Sequence, residues 1–321
     1  MRVFRHTSEI PADARGAVAA LGNFDGVHAG HRGVAAMAQG VARTLGAPCA
    51  VVTFEPHPRS VFRPDDPPFR LTPFRVKLRL LEALGVDLLF VLHFDEALRN
   101  RSAEAFVRDD LARGLGVRHV VCGHDFAFGR GRAGNPVLLE TLGTELGFGV
   151  TAVPPITFDG GPRYSSTAVR AALAEGRPED AARLLGHPFE IEGRVQGGRR
   201  LGRTIGFPTA NVGLGEYVRP AFGVYAVEAG LDEGPATVWR PGVANLGVRP
   251  TLNDGMEPRL ETHIFDFDQD IYDRHLRVRL LRRLRPEMRF DGLAALQAQI
   301  AADCSAAKAV FRVVAPDGAI G

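Results

Sequence analysis

Two histidines three residues apart, His28 and His31, close a glycine-bearing turn that reads Leu21-Gly22-Asn23-Phe24-Asp25-Gly26-Val27-His28-Ala29-Gly30-His31. The apolar run 17–21 before it has the character of a buried strand. After it, Val34, Met37, Val41 and Leu45 recur at helical spacing. The turn therefore joins a strand end to a helix start, and side chains three apart share a helix face. A helix N-terminus carries unpaired N–H groups and positive dipole, which favour an anion. Two imidazoles there add donors to a polyphosphate whose charge grows in a transition state. The turn reads as the site for a nucleotide triphosphate. The alternatives are a zinc pair or two surface histidines; the glycines, Asp25 and the strand–helix context favour phosphate.

Other segments carry the same kind of signal. Tyr164-Ser165-Ser166-Thr167-Ala168-Val169-Arg170 places three hydroxyls at a helix start and a guanidinium one turn on. That is a second phosphate cradle, and simple N-capping is the other reading. In Gly202-Arg203-Thr204-Ile205-Gly206-Phe207-Pro208-Thr209-Ala210-Asn211, glycines allow close approach of backbone to phosphate. Thr209 and Asn211 alternate along an extended segment, so both oxygens face one side and suit Mg²⁺ held with substrate phosphates. In Glu261-Thr262-His263-Ile264-Phe265-Asp266, alternation sets Glu261, His263 and Phe265 on one face, and Thr262, Ile264 and Asp266 on the other.

The first motif resembles the HxGH signature of nucleotidylyltransferases, and its longer form G-N-F-D-G-V-H-x-G-H resembles bacterial FAD synthetases. Residues 164–170 resemble the I-S-S-T-x-I-R block of that family, with Tyr164 and Val169 replacing the isoleucines. Thr53-Phe54-Glu55-Pro56-His57-Pro58 and Gly123-His124-Asp125-Phe126-Ala127-Phe128-Gly129 are similar to two further family segments. The resemblance implies ATP-binding by Gly22, Asn23, Phe24, Asp25, Gly26, His28, Gly30, His31, Ser165, Ser166, Thr167 and Arg170. It implies a flavin beside Phe54, Pro56, His57, Pro58, Asp125, Phe126 and Phe128, whose phenylalanines either stack on the ring or anchor a loop in the core. Residues 202–211 resemble the G-R-x-x-G-F-P-T-A-N motif of riboflavin kinases. This implies ATP-binding by Gly202, Arg203, Gly206, Phe207, Pro208, Thr209 and Asn211, with Glu261 as the base towards the ribityl 5′-hydroxyl. The family places a glycine where Asp273 stands, and Asp tolerates left-handed backbone better than most residues.

The elements that must position these groups follow from the pattern. Strand-like runs at 17–21, 49–54, 87–92, 118–122 and 149–153 alternate with helical stretches at 73–84, 102–115 and 136–146. This predicts an α/β, doubly wound, Rossmann-like first half, with ligands beyond the carboxyl ends of the strands. Two more helices, 166–175 and 178–185, precede a change of character at Gly186. From there short strands at 189–195, 223–228, 237–245, 260–267 and 276–284 predict a small all-β barrel, closed by a helix capped by Asp291. The expected domains are 1–186, an FMN adenylyltransferase, and 187–321, a riboflavin kinase.

A chain of 321 residues suits two domains, and 45% hydrophobic with 24% charged content is that of an ordinary globular protein. A net charge of +2 gives no electrostatic case for nucleic acid or membrane. Cys49, Cys122 and Cys304 have no disulfide or metal spacing. The chain reads as cytoplasmic, with small-molecule partners only and its oligomeric state open. As a whole it resembles a prokaryotic bifunctional riboflavin kinase/FAD synthetase, which implies that riboflavin and ATP give FMN, and FMN and ATP give FAD, each step with Mg²⁺. The rivals are an adenylyl- or cytidylyltransferase of another substrate with the barrel only a binding module, against which Thr209, Asn211 and Glu261 argue, and a tRNA-binding protein, which would carry a lysine-rich second signature and a basic face.

Overall fold

Val18 and Ala20 pack into one core cluster and Ala19 and Leu21 into another, so the strand leading to the histidine turn is buried on both faces. That is the signature of a parallel sheet with helices on both sides. The structure, a computed structural model, describes residues 1–7, 10–157, 163–197, 207–250 and 256–314. It divides into two units, one of Met1–Pro67 and Thr72–Ser166, the other of Pro68–Leu71 and the chain from Thr167.

The first unit contains strands β1 (Arg2–Phe4), β2 (Val18–Leu21), β3 (Cys49–Glu55), β4 (Leu88–His93), β5 (His119–Gly123) and β6 (Gly149–Val153). They form one parallel sheet in the order β1-β4-β3-β2-β5-β6. Chain direction across the sheet reverses at β2, so the switch point lies between β2 and β5, where open α/β sheets bind ligands. Helix α1 (Ala29–Leu45) and helix α3 (Phe74–Ala83) cover one face, and α2 (Pro58–Phe62) is a single short turn of helix between them. Helix α4 (Pro136–Leu146) and the segment Phe106–Leu115 cover the other. The latter is wound as a π-helix, a wider turn than the expected α-helix. Edge strand β1 escaped the sequence pattern because three residues are too few to show alternation.

The second unit contains helices α5 (Ser166–Ala174), whose first residue lies in the first unit, and α6 (Pro178–Leu185). Its strands are β7 (Phe189–Arg194), β8 (Ala210–Gly213), β9 (Gly223–Leu231), β10 (Arg240–Pro250), β11 (Met256–Ile264) and β12 (His275–Arg285). All neighbours pair antiparallel in the order β7-β12-β9-β10-β11-β8. The Gln196–Asn211 bridge, with Gln196 N donating to Asn211 O at 2.9 Å, brings the two edges together and nearly closes the barrel. Helix α6 buries Ala181 and Leu185 and packs on β7 and β12. The contact division therefore falls before the expected 186–187 boundary, because side chains of α6 match the barrel's surface. Asp273 takes φ 61°, the left-handed conformation expected of a glycine there.

Helix α7 (Leu293–Val314) docks on the barrel through Ala307, which joins Val224, Ala226, Val243 and Phe265 in one cluster. Its first turn opens on Gly292, whose carbonyl accepts from Leu296 N, and not on Asp291 as expected. Arg285 holds it with two bonds to buried Asp303, 2.9 and 2.6 Å. Removing one partner of such a pair leaves the other uncompensated, typically costing about 3 kcal/mol or more. Asp303→Ala should therefore lower the urea midpoint of barrel unfolding, and an unchanged midpoint would show that α7 is held by its apolar contacts alone.

Candidate active sites

The loop between β2 and α1 is held by a buried carboxylate. Asp25 is 2% exposed, and its Oδ1 accepts from Thr72 N at 3.0 Å and from the Thr72 hydroxyl at 3.4 Å. The same hydroxyl oxygen accepts from Gly26 N at 2.8 Å. Asp25 therefore shapes the loop, and Thr72, which the sequence pattern did not single out, is its partner. The clamp supports unusual backbone: Phe24, Gly26 and Val27 all have positive φ, at 50°, 90° and 43°. Gly26 adopts this freely; a β-branched valine does so at a cost of about 1–3 kcal/mol, which only a surrounding structure can impose. Phe24 and Val27 are buried in the core cluster, which supplies that constraint.

His28 is the N-cap of α1, and its Nδ1 accepts from His31 N at 3.3 Å. With Nδ1 accepting, the neutral ring carries its proton on Nε2. The two imidazoles stack with centroids 3.7 Å apart and 21° between planes. His31 is partly exposed as a residue, but its Nδ1 is buried without a hydrogen-bond partner. Burial, then the adjacent His28, then Lys77 hold its pKa well below 6.5, so the ring is neutral at pH 7 and donates from one nitrogen. Gly30 fits close under His28: a Cβ there would lie 3.0 Å from Cε1 and 3.1 Å from Nδ1. The Ala29 and Gly30 amides, in the first turn, have no intrahelical partner. Together these groups set several hydrogen-bond donors at the start of α1, a set whose chemistry suits an anion.

The second motif is tied to this loop by Ser166 Oγ, which donates to Asp25 O at 2.8 Å. Ser165, beside it, is partly buried. Thr167 and Arg170 fall in the other unit; Arg170 Nε donates there to Phe69 O at 2.7 Å. Asp125 pairs with Arg163 at 2.8 Å. His57 caps α2, its Nδ1 accepting from Arg59 N at 3.1 Å, with Pro58 in the first turn; cis Pro56 precedes it.

A row of phenylalanines runs Phe62–Phe94–Phe54–Phe106–Phe128–Phe126, with neighbouring centroids 5.6–6.2 Å apart. Phe54 and Phe128 are core members, buried to 7% and 6% exposure. Phe126 is partly exposed at one end, and at the other Phe94 is partly exposed and Phe62 is 58% exposed, so the accessible aromatics stand towards the ends of the row. Phe62 and Phe94 were not expected; a lone phenylalanine in a five-residue helix gives no periodic signal.

In the barrel, Ala210 and Val212 of β8 are buried, as are Leu260, Thr262 and Ile264 of β11. Alternation therefore turns Thr209, Asn211, Glu261 and His263 to the opposite, outer face, where all four are partly exposed. The register places Glu261 directly between Asn211 on β8 and Asn245 on β10. The ring of His263 bonds through Nδ1 to Pro208 O at 2.8 Å and meets Phe207 edge-on at 5.6 Å, fixing the Thr209 strand against β11. Asn245 is brought beside Glu261 by cross-strand register, which a local pattern does not show. Asp266 and Asp268 lie beyond the end of β11 and are exposed. Gly202, Arg203 and Gly206 lie outside the described residues. Oxygen donors from Thr209 and Asn211 on one strand face suit a hard cation carried with phosphates.

Among the described residues no group of three His, Cys, Asp or Glu could hold a metal. Burial pushes the thiols of Cys49 and Cys122 up to about 11, which leaves them unreactive.

A family model described as FAD synthetase matches residues 10–168, and one described as riboflavin kinase matches residues 185–311. The bifunctional riboflavin kinase/FMN adenylyltransferase of Escherichia coli (strain K12) is 45% identical over 317 residues, 98% of this chain and 99% of that protein. The protein of the same description from Bacillus subtilis (strain 168) is 39% identical, covering 89% of this chain and 90% of its own. The crystal structure of a macrolide-efflux protein from Streptococcus pneumoniae is similar with a TM-score of 0.82 at 31% identity, covering 94% of this chain and 96% of that one. Among the described residues here, no helix is long and apolar enough to cross a membrane.

The lowered pKa of His31 has a consequence for stability. Below 6.5 the unfolded chain binds a proton at this histidine while the folded chain does not, so unfolding gains as pH falls through that window. The contribution is fully present above 6.5. His119 is lowered by burial with the same sign, so the informative comparison is with His31→Gln. The urea midpoint of the first unit should fall between pH 7.5 and 5.5, and less steeply in His31→Gln; equal slopes would show that His31 is protonated in the folded chain.

Proposed function

The chain belongs to the bifunctional riboflavin kinase/FMN adenylyltransferases, and from that premise we propose that it makes FAD from riboflavin in two steps, at one site in each unit. The observation that carries the reading is the register that sets Glu261 beside Asn211, because a passive barrel has no use for a carboxylate flanked by amides on an outer strand face.

In the barrel the ribityl 5′-oxygen bonds to the γ-phosphorus of ATP, its proton passes to Glu261, and ADP leaves. The transition state spreads charge over phosphoryl oxygens, so most of the catalysis is positioning and electrostatics. Thr209 and Asn211 would hold Mg²⁺ together with the ATP phosphates, and when bound that ion neutralises their charge. His263 keeps these two ligands in place through Pro208.

In the first unit a phosphate oxygen of FMN bonds to the α-phosphorus of a second ATP, and pyrophosphate leaves with the electrons of the broken P–O bond. FMN supplies the nucleophile, so the protein needs donors and not a base. His28 and His31, with the Ala29 and Gly30 amides, serve that need; Ser165 adds a hydroxyl, and Ser166 ties its motif to the loop. The flavin ring rests against the accessible ends of the phenylalanine row. Both steps use cytoplasmic small molecules and call on neither nucleic acid nor membrane.

The two sites are separable by mutation. His28→Ala and His31→Ala should each lower FAD formation from added FMN by about a hundredfold or more, the usual loss for one preorganised donor, while riboflavin phosphorylation stays near normal. Glu261→Gln should do the reverse, with a loss of roughly a hundredfold to ten-thousandfold in FMN formation. Product chromatography with riboflavin or FMN as the starting flavin reads both. Near-normal kinase turnover in Glu261→Gln would move the base elsewhere, and equal loss of both activities in the histidine variants would contradict two sites.

A further inference from the structure

Lys77 is completely buried, at 0% exposure, on the side of α3 that faces the sheet. Its ammonium lies 2.9 Å from Glu55 Oε1, at the carboxyl end of β3, and 3.4 Å from Thr53 Oγ1. The Thr53 hydroxyl in turn donates to Asn23 O at 3.1 Å. A hydroxyl has one proton, and here it is committed to Asn23, so its lone pairs face the lysine. The chain of bonds thus has a fixed direction, from Lys77 through Thr53 to the backbone of Asn23. Asn23 immediately precedes the left-handed stretch that begins at Phe24.

Stability alone does not explain such a group. A buried ion pair recovers little beyond its own desolvation, and replacing both partners with neutral groups is often close to neutral. What Lys77 adds is an ammonium paired with a carboxylate and a directional hydrogen bond next to a loop that receives a polyphosphate. Its charge is felt at His31, which it helps to keep neutral.

Resting on the adenylyl-transfer reading of the first unit, we propose that Lys77 is a positioning residue for that step: its buried ammonium, acting through Thr53, fixes the Asn23 carbonyl and with it the nucleotide loop. Glu55, with its carboxylate 2.9 Å away, balances the charge of the ammonium. In this arrangement the ammonium never has to touch the nucleotide.

The test uses the full-length protein in the forms Glu55→Gln, Lys77→Met/Glu55→Gln, Thr53→Val and Thr53→Ser, with His31→Ala alongside. The paired Lys77→Met/Glu55→Gln form avoids leaving an uncompensated carboxylate. Riboflavin phosphorylation, measured on the same preparations, reports the amount of barrel, and far-UV circular dichroism with the urea midpoint of the first unit reports whether that unit is intact. FAD formation from added FMN should lose about tenfold or more in kcat in Lys77→Met/Glu55→Gln and in Thr53→Val, with the KM for FMN changing less than about threefold. Thr53→Ser should stay close to the parent, because it keeps the hydroxyl, and Glu55→Gln should lose far less than the paired form. Adding Thr53→Val to the paired form should cost little more, since the chain of bonds is already broken. Parental kcat in Lys77→Met/Glu55→Gln, or losses that multiply when Thr53→Val is added, would overturn the proposal while His31→Ala remains defective. Normal FAD formation by His31→Ala would instead overturn the adenylyl-transfer reading itself.

Discussion

Between Asn23 and His28 the backbone runs left-handed at three residues, one of them a valine, and a single buried carboxylate makes this possible. Asp25 collects Thr72 by two bonds, Thr72 collects the Gly26 amide, and the Asp25 carbonyl collects Ser166. Phe24 and Val27 are then pressed into the core on the same side of the sheet as α1. The energy of left-handed backbone is supplied by these contacts, and the return is a helix that starts with two stacked imidazoles and free amides aimed from a fixed point. Replacing any one of these partners would relax the turn before it touched a substrate contact.

The two units solve the phosphate problem from opposite kinds of sheet. A parallel sheet buried on both faces can offer chemistry only where its strands end, so the candidate groups in the first unit gather at the carboxyl ends of β2, β3 and β5 and at Ser165 and Ser166. A barrel strand has one face inward and one outward, so the second unit places its groups along strands. Leu260, Thr262 and Ile264 fill the interior while Glu261 and His263 face out. Rigidity comes from different sources accordingly: capping and buried hydrogen bonds in one, cross-strand register in the other.

Most of this was legible in the sequence because the informative signals were local. The strand–turn–helix of 17–45, the alternation at 209–211 and 260–264, and the change at Gly186 each show within a short window. What was not legible depends on distant parts of the chain. The bonds of Asp25 to Thr72 join residues 47 positions apart, which no local window shows. Lys77 lies in the helical stripe of Phe74 and Leu81, where a lone charge suggests an edge of the stripe and not its centre; only the nearby ends of β2 and β3 explain it. Phe54 and Phe128 are core residues because Phe106 lies between them. The helices at 166–185 look like the end of the first half, yet α6 packs on β7 and β12, which follow it in sequence.

If the two chemistries are complete in separate units, they are linked only by the flavin that one makes and the other consumes. Mixing His31→Ala with Glu261→Gln, in one reaction with riboflavin, ATP and magnesium, tests this directly. Each variant alone should fail to convert riboflavin to FAD, the first stopping at FMN and the second leaving riboflavin unchanged. The mixture should make FAD after a lag in which free FMN accumulates. A mixture that builds up FMN and yet makes no FAD would contradict independent sites.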